Sequence, residues 1–280
     1  MRWRDQRQST NIEDRRRMGG KGIAVGGGGI GLLILVVAVY LCGGDPSNLL
    51  RQTPTSEIQP TQNQPRNGNQ TEDQLKSFAG AVLGSTEDVW RDVFRQNDLR
   101  YTEPKLVLFT GQVSSACGYA DAAMGPFYCP GDKKVYLDFA FFKELQTQFR
   151  APGDFAAAYV IAHEVGHHIQ NELGTMDQVT RAQARSSKIE GNKLSVALEL
   201  QADCFAGIWA AAANKKGLLE AGDAEEAIRA AAAVGDDMIQ KRAQGYVVPE
   251  SFTHGSARDR VSWYTKGFQS GDVRQCRTFE

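Results

Sequence analysis

Residues 154–174 read DFAAAYVIAHEVGHHIQNELG, and this stretch decides the fold. Pro152-Gly153-Asp154 marks a helix start with Asp154 as N-cap, and Gly174 marks its end. The spacing predicts a helix from Asp154 to Leu173. On a helix, residues four apart lie on one face, so His163 and His167 can aim both imidazoles at one ion. Neutral imidazole is a good zinc ligand. Glu164 lies about 100° round the helix, beside the open coordination position. There it can accept a proton from zinc-activated water and pass it to a leaving amine. This is the H-E-x-x-H pattern of metalloproteases. His168 fits no ligand geometry and reads as a solvated or supporting histidine.

Zinc needs a third protein ligand. One class of zinc peptidase takes it from H-E-x-x-H-x-x-G-x-x-H, but here Gln170 and Leu173 occupy the Gly and His places. The alternative is a Glu from a later helix. Residues 199–203, ELQAD, supply one within an apolar segment expected to be helical from Asn192 to Asn214. Glu199 is the expected zinc ligand. Asp203, one turn on, is expected to accept a hydrogen bond from the far nitrogen of a ligand histidine. Glu172 and Glu190 are weaker competitors, since neither starts an E-x-x-x-D pair. The remaining histidine, His254, precedes Arg260 across a helix start near Ser256. Both are candidates to steady the oxyanion on an attacked carbonyl.

The 280 residues carry 32 Lys+Arg against 33 Asp+Glu, a net charge of −1. No basic field points to nucleic acid as a partner. The charge is uneven, however. Residues 1–21 form a basic leader, and Gly22–Gly44 contains no charged residue. That run matches the roughly 20 residues a helix needs to cross a bilayer. The positive flank predicts a cytoplasmic leader at 1–21, a single transmembrane helix at 22–44, and the rest on the periplasmic or extracellular side. Residues 39–42, VYLC, make a poor signal-cleavage site, so the span is read as uncleaved.

Residues 45–70 are polar and read as a flexible linker, which leaves residues 71–280 as the folded domain. Two short helices, broken around Gly84-Ser85, are expected at its start, then strands at 105–109 and 134–138 with a loop or hairpin between. Further helices are expected from Phe139, over 225–240 and from Ser256. The cysteines after the span are Cys117, Cys129, Cys204 and Cys276. Outside the cytoplasm they can form disulfides. Proximity favours Cys117–Cys129, which leaves Cys204–Cys276.

The basic start, single apolar run, polar linker and the order HEVGH…ELQADCFAG resemble the putative neutral zinc metallopeptidases of bacteria (YpfJ-like). Cys117-Gly118, residues 125–130 (GPFYCP) and Cys276-Arg277 also match. The resemblance implies a zincin-like α+β fold, mostly helical with a small sheet, one zinc ion, and a peptide or protein substrate. A more distant likeness, to HtpX-type and CAAX-prenyl proteases, implies transition-state roles for His254 and Arg260. Those proteins have several spans and commonly Pro at the place of Gly255. The expected function is membrane-anchored zinc endopeptidase activity. The rivals are a non-enzymatic tethered binding protein on a degenerate zincin scaffold, and a hydrolase of non-protein amide bonds.

Overall fold

The structure is a computed structural model that describes residues 1–16 and 67–279. The expected membrane span at 22–44, and the expected linker up to residue 66, lie outside the described residues. Along the chain, β1 (Ile12–Asp14) precedes α1 (Asn67–Gln96), β2 (Lys105–Phe109), the hairpin of β3 (Gln112–Ser115) and β4 (Gly118–Asp121), β5 (Phe127–Cys129) and β6 (Lys134–Asp138). Then come α2 (Ala140–Thr147), α3 (Asp154–Glu172), α4 (Thr175–Gln183), α5 (Lys188–Lys215), α6 (Asp223–Ala233), α7 (Asp236–Gln244) and α8 (Ala257–Ser270). The architecture is α+β, mostly helical with a small sheet.

Every residue of α3 from Phe155 to Gln170 is buried. A helix apolar on all sides must be enclosed on all sides, and α3 packs against α5, α6, α1 and β5. Gly166 sets the closest approach. A Cβ there would lie 2.9 Å from the carbonyl oxygen of Ala202, so any side chain would drive α5 away. The α5 helix is long and apolar enough to cross a membrane by length and composition, but 67% of its most apolar stretch is buried inside the protein. It is a core helix.

Several helix ends differ from the sequence expectation. α5 starts before Asn192, because Ser187 and Glu190 form a reciprocal capping box. That bond also removes Glu190 from the ligand candidates. The N-cap of α3 is Gly153 rather than Asp154. The carboxylate of Glu226, from α6, accepts the Phe155 N–H instead, at 3.0 Å. The single helix expected over 225–240 is two, α6 and α7. Gly235 separates them, packed so closely on the backbone of Ala257 that a Cβ would collide with it.

The four-stranded sheet has the order β1-β2-β6-β5, with β1, β2 and β6 parallel and β5 antiparallel at one edge. Its first strand comes from the N-terminal arm, so the folded unit is not confined to residues 71–280. Ile12 pairs with Leu106, Glu13 with Val107 and Asp14 with Leu108. Trp3 packs edge-on against Phe78. The Met1 amino group lies against Asp154, Glu220 and Asp223.

The arm also explains why α1 is one helix of 30 residues where two were expected. Gly80 and Gly84, one turn apart, are not breakers but the floor of a groove. A Cβ on Gly84 would lie 2.7 Å from the Arg7 carbonyl oxygen, and Ser9 N–H donates to the Gly80 carbonyl at 2.9 Å. Beside them Glu87 is buried, 1% exposed. Its carboxylate accepts from Arg7 at 2.9 Å, from Asn11 at 2.9 Å and from Ser9. All three of these donors are in the arm.

Burying a carboxylate is tolerable only while it is paired. Arg7→Met should therefore lower stability by about 1–3 kcal/mol, the penalty for leaving a buried group short of a partner. The double variant Arg7→Met, Glu87→Gln should recover part of that loss. Urea denaturation of the three proteins measures both.

Candidate metal centre

Where α3 and α5 cross at Gly166 and Ala202, three side chains converge. His163 Nε2 lies 3.1 Å from Glu199 Oε2, and His167 Nε2 lies 3.3 Å from Glu199 Oε1. The ligating atoms of the three all fall within 4.8 Å of one another. Tetrahedral zinc with bonds of about 2.0–2.1 Å places neighbouring donors roughly 3.3 Å apart. The two histidine–carboxylate separations match that spacing, and the three residues together could hold one zinc ion. Burial alone would raise the Glu199 carboxyl, but the His167 and His163 rings outweigh it and hold it well below the usual range. It is therefore an anionic ligand.

The two histidines are oriented by different means. His163 Nδ1 faces Asp203 Oδ1 at 2.9 Å. Asp203 has no solvent exposure. Arg260 binds it through both oxygens, from Nε at 2.8 Å and from Nη2 at 3.0 Å, and the Tyr159 hydroxyl donates to it as well. Burial would lower the His163 pKa, yet the Asp203 carboxylate pushes it up to about 9. His167 Nδ1 instead donates to the neutral Oε1 of Gln170 at 2.9 Å. Gln170 is locked in turn by donating to the Leu198 carbonyl at 2.7 Å and to Gln201 Oε1 at 3.1 Å.

Glu164 is 7% exposed and lines the cleft beside the donors, where burial raises its carboxyl pKa. His168 points away. It is fully buried rather than solvated, donating from Nε2 to the Thr102 carbonyl at 2.6 Å and accepting from the Tyr128 hydroxyl at 3.1 Å. It fastens α3 to β5 and to the segment before β2. Glu172, the other competitor for the third ligand place, pairs with Lys133 at 2.7 Å.

His254 and Arg260 both reach the cleft wall, which encloses about 830 Å³. Their environments differ. Arg260 is 3% exposed and committed to Asp203, so its geometry holds the supporting carboxylate in place. The His254 side chain is half exposed, with Nδ1 3.2 Å from Asp236 Oδ1. The other oxygen of Asp236 accepts the backbone N–H groups of Thr253, His254 and Gly255, at 2.7, 2.6 and 3.0 Å. Asp236 thus holds both the loop and the ring through Nδ1, and Nε2 has no hydrogen-bond partner among the described residues.

Three contributors were missed in the sequence: Tyr159, Gln170 and Asp236. Tyr159 and Gln170 do carry a signal. They lie one turn before His163 and one turn after His167 on the same buried helix. Asp236 has no local signal, because it meets His254 only through the turn at Gly235.

Both expected disulfides form, Cys117–Cys129 and Cys204–Cys276. The first ties the β3–β4 turn to β5. The second ties α5, beside Asp203, to the C-terminal segment. The only other carboxylate group of metal-binding shape among the described residues, Asp154, Asp223 and Glu226, adjoins the Met1 amino group.

Residues 1–279 match the model of the family described as putative neutral zinc metallopeptidase. The chain belongs to this family. It is 45% identical over 287 residues to the Escherichia coli K12 protein named "Uncharacterized protein YpfJ", covering 100% of this chain and 99% of that one. It is 42% identical over 255 residues to "Uncharacterized protein Rv2575" of Mycobacterium tuberculosis H37Rv, covering 85% and 84%. No solved structure matches it. Family membership makes the protein a zinc peptidase in general terms, and the donor set agrees.

Two outcomes follow from the supports. Gln170→Leu removes the acceptor for His167 and should weaken zinc binding about 10–100-fold, read by competition with a chromogenic chelator. Asp236→Asn should lower the His254 pKa. The Asp236 hydrogen bond is the main cause raising that pKa in the native protein. Burial would push the Asp236 carboxyl up, but the His254 ring and the backbone N–H groups hold it below the usual range. The pair therefore stabilises the fold between the lowered carboxyl range and the raised imidazole range, and is lost on either side. NMR titration of the His254 ring in both proteins measures the shift.

Proposed function

We propose that this protein is a membrane-attached zinc endopeptidase of zincin-like fold, acting outside the cytoplasm on peptide or protein substrates. The observation that carries the reading is the convergence of His163, His167 and Glu199 with Glu164 beside them on the cleft wall. Zinc held there would supply Lewis-acid polarisation and a water acidic enough to react near neutral pH.

The chain's own residues do the rest. Glu164 accepts the proton of the attacking water and returns it to the leaving amine. Burial raises its basicity toward the range in which a carboxylate exchanges protons readily. His254, its ring fixed through Nδ1 by Asp236, donates from Nε2 to the carbonyl oxygen as charge develops. Arg260 acts through Asp203, holding the His163 ring at its angle.

The substrate is a peptide segment in an extended conformation. Among the described residues β5 pairs only with β6, which puts it at an edge of the sheet, and its residues Phe127 and Tyr128 line the cleft. An added strand there would satisfy its backbone on that edge. Phe141, Phe149, Met176 and Ile239 offer apolar walls for its side chains. The two disulfides support an oxidising compartment. The apolar run at 22–44 supports attachment to a membrane.

The test compares wild type with Glu164→Gln on an unfolded protein substrate, with zinc content measured in parallel. The variant should keep its zinc and lose about 10²–10⁴-fold in kcat. Full activity in the variant overturns the mechanism, and wild type without zinc overturns the site.

A further inference from the structure

We infer that the N-terminal arm and the peptidase domain lie on the same side of the membrane. This replaces the topology expected from charge alone, and it stands whether or not the protein cleaves peptides.

The arm is built into the domain at four places. Its strand β1 is the outer parallel strand of the sheet, in register with β2. Its backbone at Arg7–Ser9 fills the groove over Gly80 and Gly84. Arg7, Ser9 and Asn11 answer the buried Glu87. The N–H of Arg2 donates to the Leu218 carbonyl at 2.8 Å, beyond the end of α5. An arm held in another compartment would leave Glu87 buried without these partners and the sheet with a bare edge at β2.

The decisive contact closes the gap between the two described segments. Arg16, the last residue of the first, donates from Nη1 to the backbone carbonyl of Glu72 in α1 at 3.2 Å. Its guanidinium also pairs with Asp14 at 2.6 Å. The chain thus leaves the domain and rejoins it at one spot. A single crossing would hold these two points on opposite faces of about 30 Å of hydrocarbon. A stretch whose two ends meet must return to the side it left. The uncharged run Gly22–Gly44 is long enough for one helical crossing at about 1.5 Å per residue and too short for two. The disulfides place the domain's side outside the cytoplasm, and the arm goes with them.

Two exposed positions report the topology without touching the packing: Thr10 in the arm and Gln96 at the end of α1. Each is changed to Cys, singly, in the full chain carrying Cys42→Ser, whose remaining cysteines are paired in disulfides. Intact spheroplasts are treated with a membrane-impermeant maleimide, and again after lysis. The expected result is equal labelling of Thr10→Cys and Gln96→Cys before lysis. Equal protection of both until lysis upholds the shared side and moves it to the cytoplasm. Labelling of Gln96→Cys before lysis, with Thr10→Cys labelled only after it, overturns the inference. An unfolding midpoint equal to that of Cys42→Ser alone, measured on the purified variants, shows that the arm is seated in the proteins tested.

Discussion

A carboxylate with no exposure to water must be answered by protein groups, and Asp203 is answered by Arg260, Tyr159 and His163. These come from α8 and α3, while Asp203 itself stands on α5. One buried anion therefore fixes the mutual position of three helices. Its neighbour Cys204 is bonded to Cys276, and Gly267 of α8 packs directly on the Cys204 carbonyl. Taking away one partner of such a group costs several kcal/mol, because the charge remains buried. The metal ligands inherit their geometry from this arrangement. Glu199 is one turn from Asp203, and His163 is held at Nδ1 by Asp203 and at Nε2 faces Glu199.

The centre is also asymmetric. His163 leans on a full negative charge and His167 on a neutral amide. The carboxylate raises the basicity of His163, whereas Gln170 fixes the angle of His167 without adding charge. Glu199 and Asp203 bring two negative charges and Arg260 one positive charge, and Glu164 adds a further acidic group at the cleft wall. A divalent cation can take the place of the His163 proton as the counterweight to these carboxylates.

Much of this was legible in the sequence, for a physical reason. H-E-x-x-H and E-x-x-x-D both rest on the i, i+4 relation of one helix face, which short stretches of sequence display directly. The same holds for α3 and for the strands over 105–109 and 134–138. What was not legible depends on chain segments far apart. Gly84 reads as a helix breaker until the Arg7 backbone is seen lying on it. Asp154 reads as an N-cap until Glu226 is seen taking that bond. The split between α6 and α7 comes from the contact of Gly235 with Ala257. In each case a local preference yields to a tertiary contact. The basic leader is the largest instance. Its charges resemble a membrane flank, yet Arg7 and Arg16 are spent on carboxylates within the fold.

The position of β1 in the sheet also sets an order in time. A chain made from its first residue presents Ile12 long before Leu106, its partner, and Arg2 long before Leu218. Pairings so distant in sequence carry a loop-closure cost before they return anything, and they form slowly. The arm, made long before its partners, is therefore among the last segments to find its place, and until then β2 and the groove on α1 stand open. During that interval the nascent protein has an unpaired strand edge and an unanswered acidic residue, the period in which a newly made chain is most exposed to wrong partners.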